Sequence, residues 1–394
     1  MKNALALLFA CCVVLNACGG GGGASAPPVV VGGPSQAGSS LTVPSGFTIQ
    51  SIATVPGARE LSFAPNGDLF VGTGGSSLYI VQNAEGQASL PHVFATLPES
   101  PAAGVAVSLQ NSSIYVGTQF GVYRIAYATG DSTAKSAPVK IASVRTAGGI
   151  GHATTSVAVD GNTLYASVGS SCDACTETDP TRATIQQMGL DGSGMTARAV
   201  RIRNAIGLTV NPATNTLWAG VAGQDTLPVG HPYEFFDAVT LHTGVVDYGW
   251  PDCEENQHPY ASGANCSNVA VPLVEFPAYE TIIGATFYPT NPSGSYAFPA
   301  QYRGGAFVAM HGSWHSPNGC YMPPRVAFVS MNGDRPQTPV NWSDPTVQWS
   351  DFVSGFQPGC GANRIGKATG IAVGPQDDLF IADDLTGNIY RVRP

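Results

Sequence analysis

One pattern recurs six times along this chain of 394 residues: a short apolar strand, a turn of Pro, Gly, Asn and Asp, and a second strand opening on Leu, Ile or Ala. The copies are Leu61-Ser-Phe-Ala-Pro-Asn-Gly-Asp-Leu-Phe-Val-Gly, Val105-Ala-Val-Ser-Leu-Gln-Asn-Ser-Ser-Ile-Tyr-Val-Gly, Ser156-Val-Ala-Val-Asp-Gly-Asn-Thr-Leu-Tyr-Ala-Ser and Gly207-Leu-Thr-Val-Asn-Pro-Ala-Thr-Asn-Thr-Leu-Trp. A longer-turned copy runs from Gly284-Ala-Thr-Phe-Tyr-Pro to Gly305-Ala-Phe-Val-Ala, and the last is Gly370-Ile-Ala-Val-Gly-Pro-Gln-Asp-Asp-Leu-Phe-Ile-Ala. A single hairpin cannot bury its own apolar face, so repetition at long period restricts the chain to stacked or radial arrays.

Several copies are followed by a further strand, as in Gly121-Val-Tyr-Arg-Ile and Gly387-Asn-Ile-Tyr-Arg-Val, and no segment sustains a helical period. The pattern therefore predicts an all-β fold, a six-bladed β-propeller of four-stranded antiparallel sheets over residues 41–394. Gly46-Phe-Thr-Ile-Gln-Ser-Ile-Ala is expected to pair with a C-terminal strand and close the ring, hiding two sheet edges. The spacing widens between the fourth, fifth and sixth copies, which places long loops there, and long loops on a rigid scaffold carry function.

Before the repeats stand Lys2, a short apolar run over residues 4–14, and Leu15-Asn16-Ala17-Cys18. That order reads as a lipoprotein signal peptide over residues 1–17, with Cys18 lipidated and residues 18–40, rich in Gly, Ser and Pro, as a flexible tether. Gly19 after the cysteine points to the outer membrane, with the domain facing the periplasm. Of nine cysteines, Cys11 and Cys12 go with the leader and Cys18 with the lipid, leaving Cys172, Cys175, Cys253, Cys266, Cys320 and Cys360. An even set in an oxidising compartment argues for disulfides. The pairing favoured is Cys172 with Cys175, Cys253 with Cys266 and Cys320 with Cys360; a redox-active Cys172-x-x-Cys175 is the alternative. With 11% charged residues and a net charge of −9, the chain lacks the basic footprint of a nucleic-acid binder.

The loops are richer than turn chemistry requires. Gly151-His152, Gly169-Ser170-Ser171-Cys172, Arg203-Asn204-Ala205-Ile206-Gly207, Asp247-Tyr248-Gly249-Trp250-Pro251, Tyr302-Arg303-Gly304-Gly305-Ala306-Phe307-Val308 and His311-Gly312-Ser313-Trp314-His315 follow one another along the chain. In this order they resemble the signatures of the glucose/sorbosone dehydrogenase family, pyrroloquinoline quinone-dependent six-bladed propellers, over roughly residues 44–393. The resemblance implies oxidation of an aldose or sugar aldehyde, with His152 as general base and bound pyrroloquinoline quinone as hydride acceptor. An imidazole that titrates near neutrality suits proton removal. Arg203 would stabilise charge on a quinone oxygen and Asn204 would donate to the same cofactor. Backbone carbonyls of Gly223 and Gln224 resemble the family's calcium ligands. Lys367 stands where the family points a basic group at cofactor carboxylates, and Trp314 and His315 stand where an aromatic covers a flat ring or a sugar. Trp314 reads equally as interblade core, and Asp383-Asp384 reads as turn capping.

The chain also departs from the family. Soluble members carry an Asp after the glycine of the third-blade strand to orient the base. Here Gly169 is followed by Ser170-Ser171-Cys172, as in the sorbosone-type branch, with Asp173, Glu177 and Asp179 as substitutes nearby. The basic residue expected just after the histidine is missing, and His315 replaces the usual Asn. Electrons would leave to a separate acceptor, since no Cys-x-x-Cys-His haem-attachment motif occurs. Two other functions fit the same architecture: a calcium-dependent lactonase-type hydrolase and a cofactor-free binding module.

Overall fold

The computed structural model describes residues 40–145, 151–228, 230–316 and 319–394. The residues read as a signal peptide, Cys18 and nearly all of the expected tether lie outside them. The described chain is a six-bladed β-propeller, and the six sequence copies are the two innermost strands of its six blades. Blade 1 is Ala58–Phe63, Leu69–Thr73, Ser77–Val81 and His92–Thr96; blade 2 is Gly104–Ser108, Ser113–Gly117, Gly121–Ala126 and Val139–Ser143. Blade 3 is Val157–Asp160, Thr163–Val168, Thr184–Gly189 and Thr196–Val200; blade 4 is Ala205–Asn211, Thr216–Val221, Glu234–Asp237 and Val274–Phe276. Blade 5 is Ile282–Phe287, Ala306–Met310, Arg325–Val329 and Trp349–Val353. Blade 6 takes Ala368–Val373, Leu379–Asp383 and Asn388–Arg393 from the C-terminal end and Thr48–Thr54 from the N-terminal end, paired from Thr48 opposite Arg393 to Thr54 opposite Asn388.

One blade exceeds the expected four strands. Val246–Asp247 adds to blade 3 in parallel with Thr196–Val200, held by the Arg201 guanidinium on the Asp247 carboxylate at 2.8 Å.

The core is layered. Each sheet is sandwiched between two neighbours, so the second strand of a blade is buried on both faces, as in Leu69–Thr73, Thr216–Val221 and Leu379–Asp383. Such strands read as unbroken apolar and small residues instead of alternating ones. Six apolar clusters result, one at each interface between adjacent blades. Near the axis the blades crowd together. A Cβ on Gly284 would sit 2.1 Å from the Thr369 carbonyl oxygen, and one on Gly370 2.1 Å from that of Arg59, which is why the inner strands of blades 5 and 6 carry glycine there.

All six inner strands run the same way, so residues just before them, and just after the second strands, meet at one end of the ring. An axial cavity of about 560 Å³ crosses the middle, lined by Phe63, Val107, Val159, Leu208, Phe287 and Val373, one from each blade. His152 and Arg203 do not line it. The chemistry gathers at the rim above.

Candidate active site

The rim is built from the loops entering blades 3, 4 and 6 and those leaving the second strands of blades 3, 4, 5 and 6. His152 stands five residues before blade 3. Its backbone N–H donates to the Ser170 carbonyl at 3.0 Å, and its Nδ1 lies 3.0 Å from Ser170 Oγ and 3.2 Å from Ser170 O. Gly169 makes that approach possible: a Cβ there would fall 2.5 Å from His152 Cβ and 2.5 Å from Asn204 Oδ1, so the imidazole and the buried Asn204 amide flank a position with no side chain. Burial, and then the positive charges of Arg203 and Arg145, lower the His152 pKa to about 4. The ring is therefore neutral at physiological pH.

Ser170 stands at the Nδ1 of His152, where the substitutes Asp173, Glu177 and Asp179 were expected. Glu177 accepts from Ser171 N and Oγ, and Asp179 from Thr181 N and Oγ. Asp173 turns to Arg203 instead: Nη2 donates to Asp173 Oδ1 at 2.7 Å and Asp225 Oδ2 at 3.2 Å, Nε to the Asp173 carbonyl at 3.0 Å, and Nη1 to the Ala222 carbonyl at 3.2 Å. A guanidinium has five donors. Four are used in this way, and among the described residues one Nη1 hydrogen has no acceptor. Burial alone would raise the Asp173 carboxyl, but bonds from Thr226, Asp225 N and Arg203 hold it below its usual range.

A basic residue does reach the histidine segment, from before it in the chain. Arg145, buried at the end of blade 2, donates to the carbonyls of His152 at 3.1 Å and Gln119 at 2.8 Å and to Thr155 Oγ1. It lies outside the repeat and carries no sequence signal of its own. Trp314 is 70% exposed, which rules out the interblade-core reading. Its ring lies 4.3 Å from that of His315, which in turn meets Tyr279 edge-on at 4.6 Å.

Across the rim, Asp383 caps its turn as expected, accepting from Lys367 N, Leu385 N and Thr386 N. Asp384 does not cap. Its carboxylate accepts from Arg59 Nη1 at 2.7 Å and lies 3.0 Å from His311 Nε2, and the Lys367 charge acts on both members of that pair. Sequence reading missed this cluster, in which Arg59 and His311 meet a single carboxylate and the Lys367 charge bears on it.

Gly223 and Gln224 leave the second strand of blade 4. The buried Gln224 Nε2 donates to the Pro251 carbonyl at 3.2 Å and to Glu254, which ties the amide to the 251–254 loop. Among the described residues, the one group of His, Cys or acidic side chains within metal-ligand reach is Cys172, Cys175 and Glu177. Its two cysteines are bonded to each other. All three disulfides, Cys172–Cys175, Cys253–Cys266 and Cys320–Cys360, pair as favoured from the sequence.

Glu60, on the innermost strand of blade 1, touches Ser156 Oγ, and burial raises its pKa to about 8. A carboxyl with a raised folded pKa favours the fold while protonated and loses that advantage as pH rises from about 4.5 to about 8. Glu60→Gln is expected to leave the unfolding midpoint unchanged at pH 5 and to raise it at pH 9; equal shifts at both pH values would refute the assignment.

Residues 248–394 match the TrAA12-like family model. An uncharacterised protein of Borreliella burgdorferi is 21% identical over 372 residues, 90% of this chain and 91% of that one. Among solved structures, the holo pyranose dehydrogenase PQQ domain of Coprinopsis cinerea superposes with a TM-score of 0.74 at 17% identity, covering 90% of this chain and 97% of that one. The Trichoderma reesei Carbohydrate-Active Enzymes Family AA12 protein, in its iodide structure, gives 0.71 at 18% over the same shares. The Escherichia coli soluble aldose sugar dehydrogenase, in apo form, gives 0.62 at 17% over 88% and 99%. The resemblance read from the loop motifs thus holds at the level of fold and, over residues 248–394, of the family model: the chain is a six-bladed propeller like those of the quinone-dependent sugar dehydrogenases.

Proposed function

We propose that this protein is a sugar oxidoreductase that works with bound pyrroloquinoline quinone and oxidises an aldose or sugar aldehyde. One observation carries the reading: a neutral imidazole, anchored through Nδ1 and lying beside the Arg203 guanidinium, stands on the propeller rim where its free Nε2 can take a hydroxyl proton. Bound quinone supplies the hydride acceptor. His152 Nε2 accepts the proton of the hydroxyl on the carbon being oxidised. The unused Nη1 hydrogen of Arg203 and the Asn204 side chain would hold the cofactor's oxygens, and Lys367 and Arg59 would supply positive charge for its carboxylates. Trp314, exposed on its loop with His315 beside it, would cover the flat face of the bound group and shed water from it. A calcium ion would be held by the carbonyls of Gly223 and Gln224, since hard cations take backbone oxygen. Electrons leave to a separate acceptor, and a lipid on Cys18 tethers the domain to the outer membrane on its periplasmic side.

Titrating the purified chain with pyrroloquinoline quinone and calcium, and then adding aldoses, tests the reading. Saturable binding at micromolar quinone followed by sugar-dependent bleaching is expected. Absence of quinone binding refutes it; calcium-dependent lactone opening without quinone would establish the hydrolase instead.

A further inference from the structure

Among the described residues the histidine on the rim has no carboxylate at Nδ1 of the kind that usually orients a catalytic imidazole, and the hydrogen bonds around it show what takes that place. Two atoms face His152 Nδ1: Ser170 O at 3.2 Å and Ser170 Oγ at 3.0 Å. The carbonyl can only accept. The hydroxyl has one hydrogen, and it is donated to the Cys172 carbonyl at 2.7 Å, so toward His152 it too can only accept. Both atoms therefore require Nδ1 to carry the ring proton, which leaves the lone pair on Nε2.

The end of this relay is fixed covalently. Cys172 closes a four-residue loop with Cys175, and next to it Ser171 is held at N and Oγ by Glu177. Gly151, with φ of +104°, lets the histidine segment lie against that loop, since a Cβ there would come 2.5 Å from the Ser171 carbonyl oxygen. The next residue of the loop, Asp173, grips Arg203.

We propose that Ser170 is a positioning residue: with the Cys172 carbonyl of the disulfide-closed loop, it locks His152 in the Nδ1–H tautomer through a neutral relay instead of a carboxylate. The tautomer is a property of the cofactor-free protein, whereas its use as a base rests on the dehydrogenase reading. The proton removed from substrate then leaves an imidazolium with no carboxylate on its far nitrogen. The neutral form is favoured for the next turnover.

The test is nitrogen-detected NMR of the chain labelled at histidine, without quinone, at pH 7, with His152→Gln assigning the resonances. The expected result is a single His152 species with its proton on Nδ1 and an unprotonated Nε2. In Ser170→Ala only the backbone carbonyl at 3.2 Å remains to accept, so an Nε2-protonated minority should appear beside the Nδ1 form, and Ser170→Thr should restore the single species. A wild-type proton on Nε2, or an unchanged tautomer in Ser170→Ala, overturns the proposal. The wild-type spectrum decides even if the alanine variant does not fold. In quinone-loaded protein the alanine variant should lower kcat by roughly 10²-fold with KM little changed, and threonine should recover it. A correct tautomer in a protein that binds no quinone would leave the relay standing and remove only the dehydrogenase reading.

Discussion

His152→Ala is expected to lower sugar-dependent quinone bleaching by about 10²–10⁴-fold, the usual contribution of a positioned general base, with quinone affinity within a few-fold of wild type. The pH profile gives this loss a distinctive shape. Burial, followed by Arg203 and Arg145, holds the imidazole pKa at about 4, so wild-type activity should stay level from neutrality down to about pH 5 and fall only below that. A free histidine would lose half its activity near pH 6.5. The same shift predicts an opposite effect on stability. The folded state binds fewer protons than the unfolded chain between about pH 6.5 and about pH 4, so the advantage held above that window is lost as pH falls through it, on the order of 3 kcal/mol in all. The alanine variant has no imidazole to charge. It should therefore unfold at lower pH than wild type while being nearly inactive; an activity profile breaking near pH 6.5, or no gain in acid tolerance, would count against the burial of the base.

Phe307→Ala should be the most damaging single change to the scaffold. Phe307 is fully buried in the layer between blades 5 and 6, its ring within 4.6 Å of Phe352, 5.1 Å of Phe328 and 6.0 Å of Phe298. Truncation leaves a cavity walled by aromatic rings that cannot collapse into it, which costs about 3–5 kcal/mol. Phe47 from the N-terminal segment packs edge-on into the same cluster against Phe298, Tyr302 and Phe352, so the loss should also loosen ring closure. Urea denaturation reads the effect directly as a lower midpoint. A loss under 1 kcal/mol would mean that the layer repacks.

The scaffold was legible because its signals are local. Hairpin turns and apolar runs sit within a dozen residues of each other, so each copy such as Leu61-Ser-Phe-Ala-Pro-Asn-Gly-Asp-Leu-Phe-Val-Gly announces its own pair of strands. The positions of His152, Arg203 and Asn204 were legible for the same reason: each precedes an inner strand that the sequence marks. Partnerships were not. Asp384 reads as a turn residue from its neighbours, yet its partners His311 and Arg59 lie 73 and 325 residues away. Asp173 was a candidate partner of the base, but the donors of Arg203 and the loop at 225–226 compete for it and win. Exposure was equally hidden at Trp314, whose apolar ring carries no mark of which side of the loop it takes. The short strand at 246–247 depends on Arg201 from another segment, and two residues give no period to read.

Closure of blade 6 also has a history in time. Thr48 pairs with Arg393, 345 residues further on, and bringing ends that far apart together costs on the order of 5 kcal/mol of chain entropy before any contact repays it. As the chain is made from its N-terminal end, residues 48–54 are among the first of the ring to appear and the last to find a neighbour. Five blades can stack in sequence while two sheet edges stay open, and open edges pair with other chains. That exposure ends only when the six residues of Asn388–Arg393 arrive, so the period of greatest risk for this protein is its synthesis, before the ring has closed.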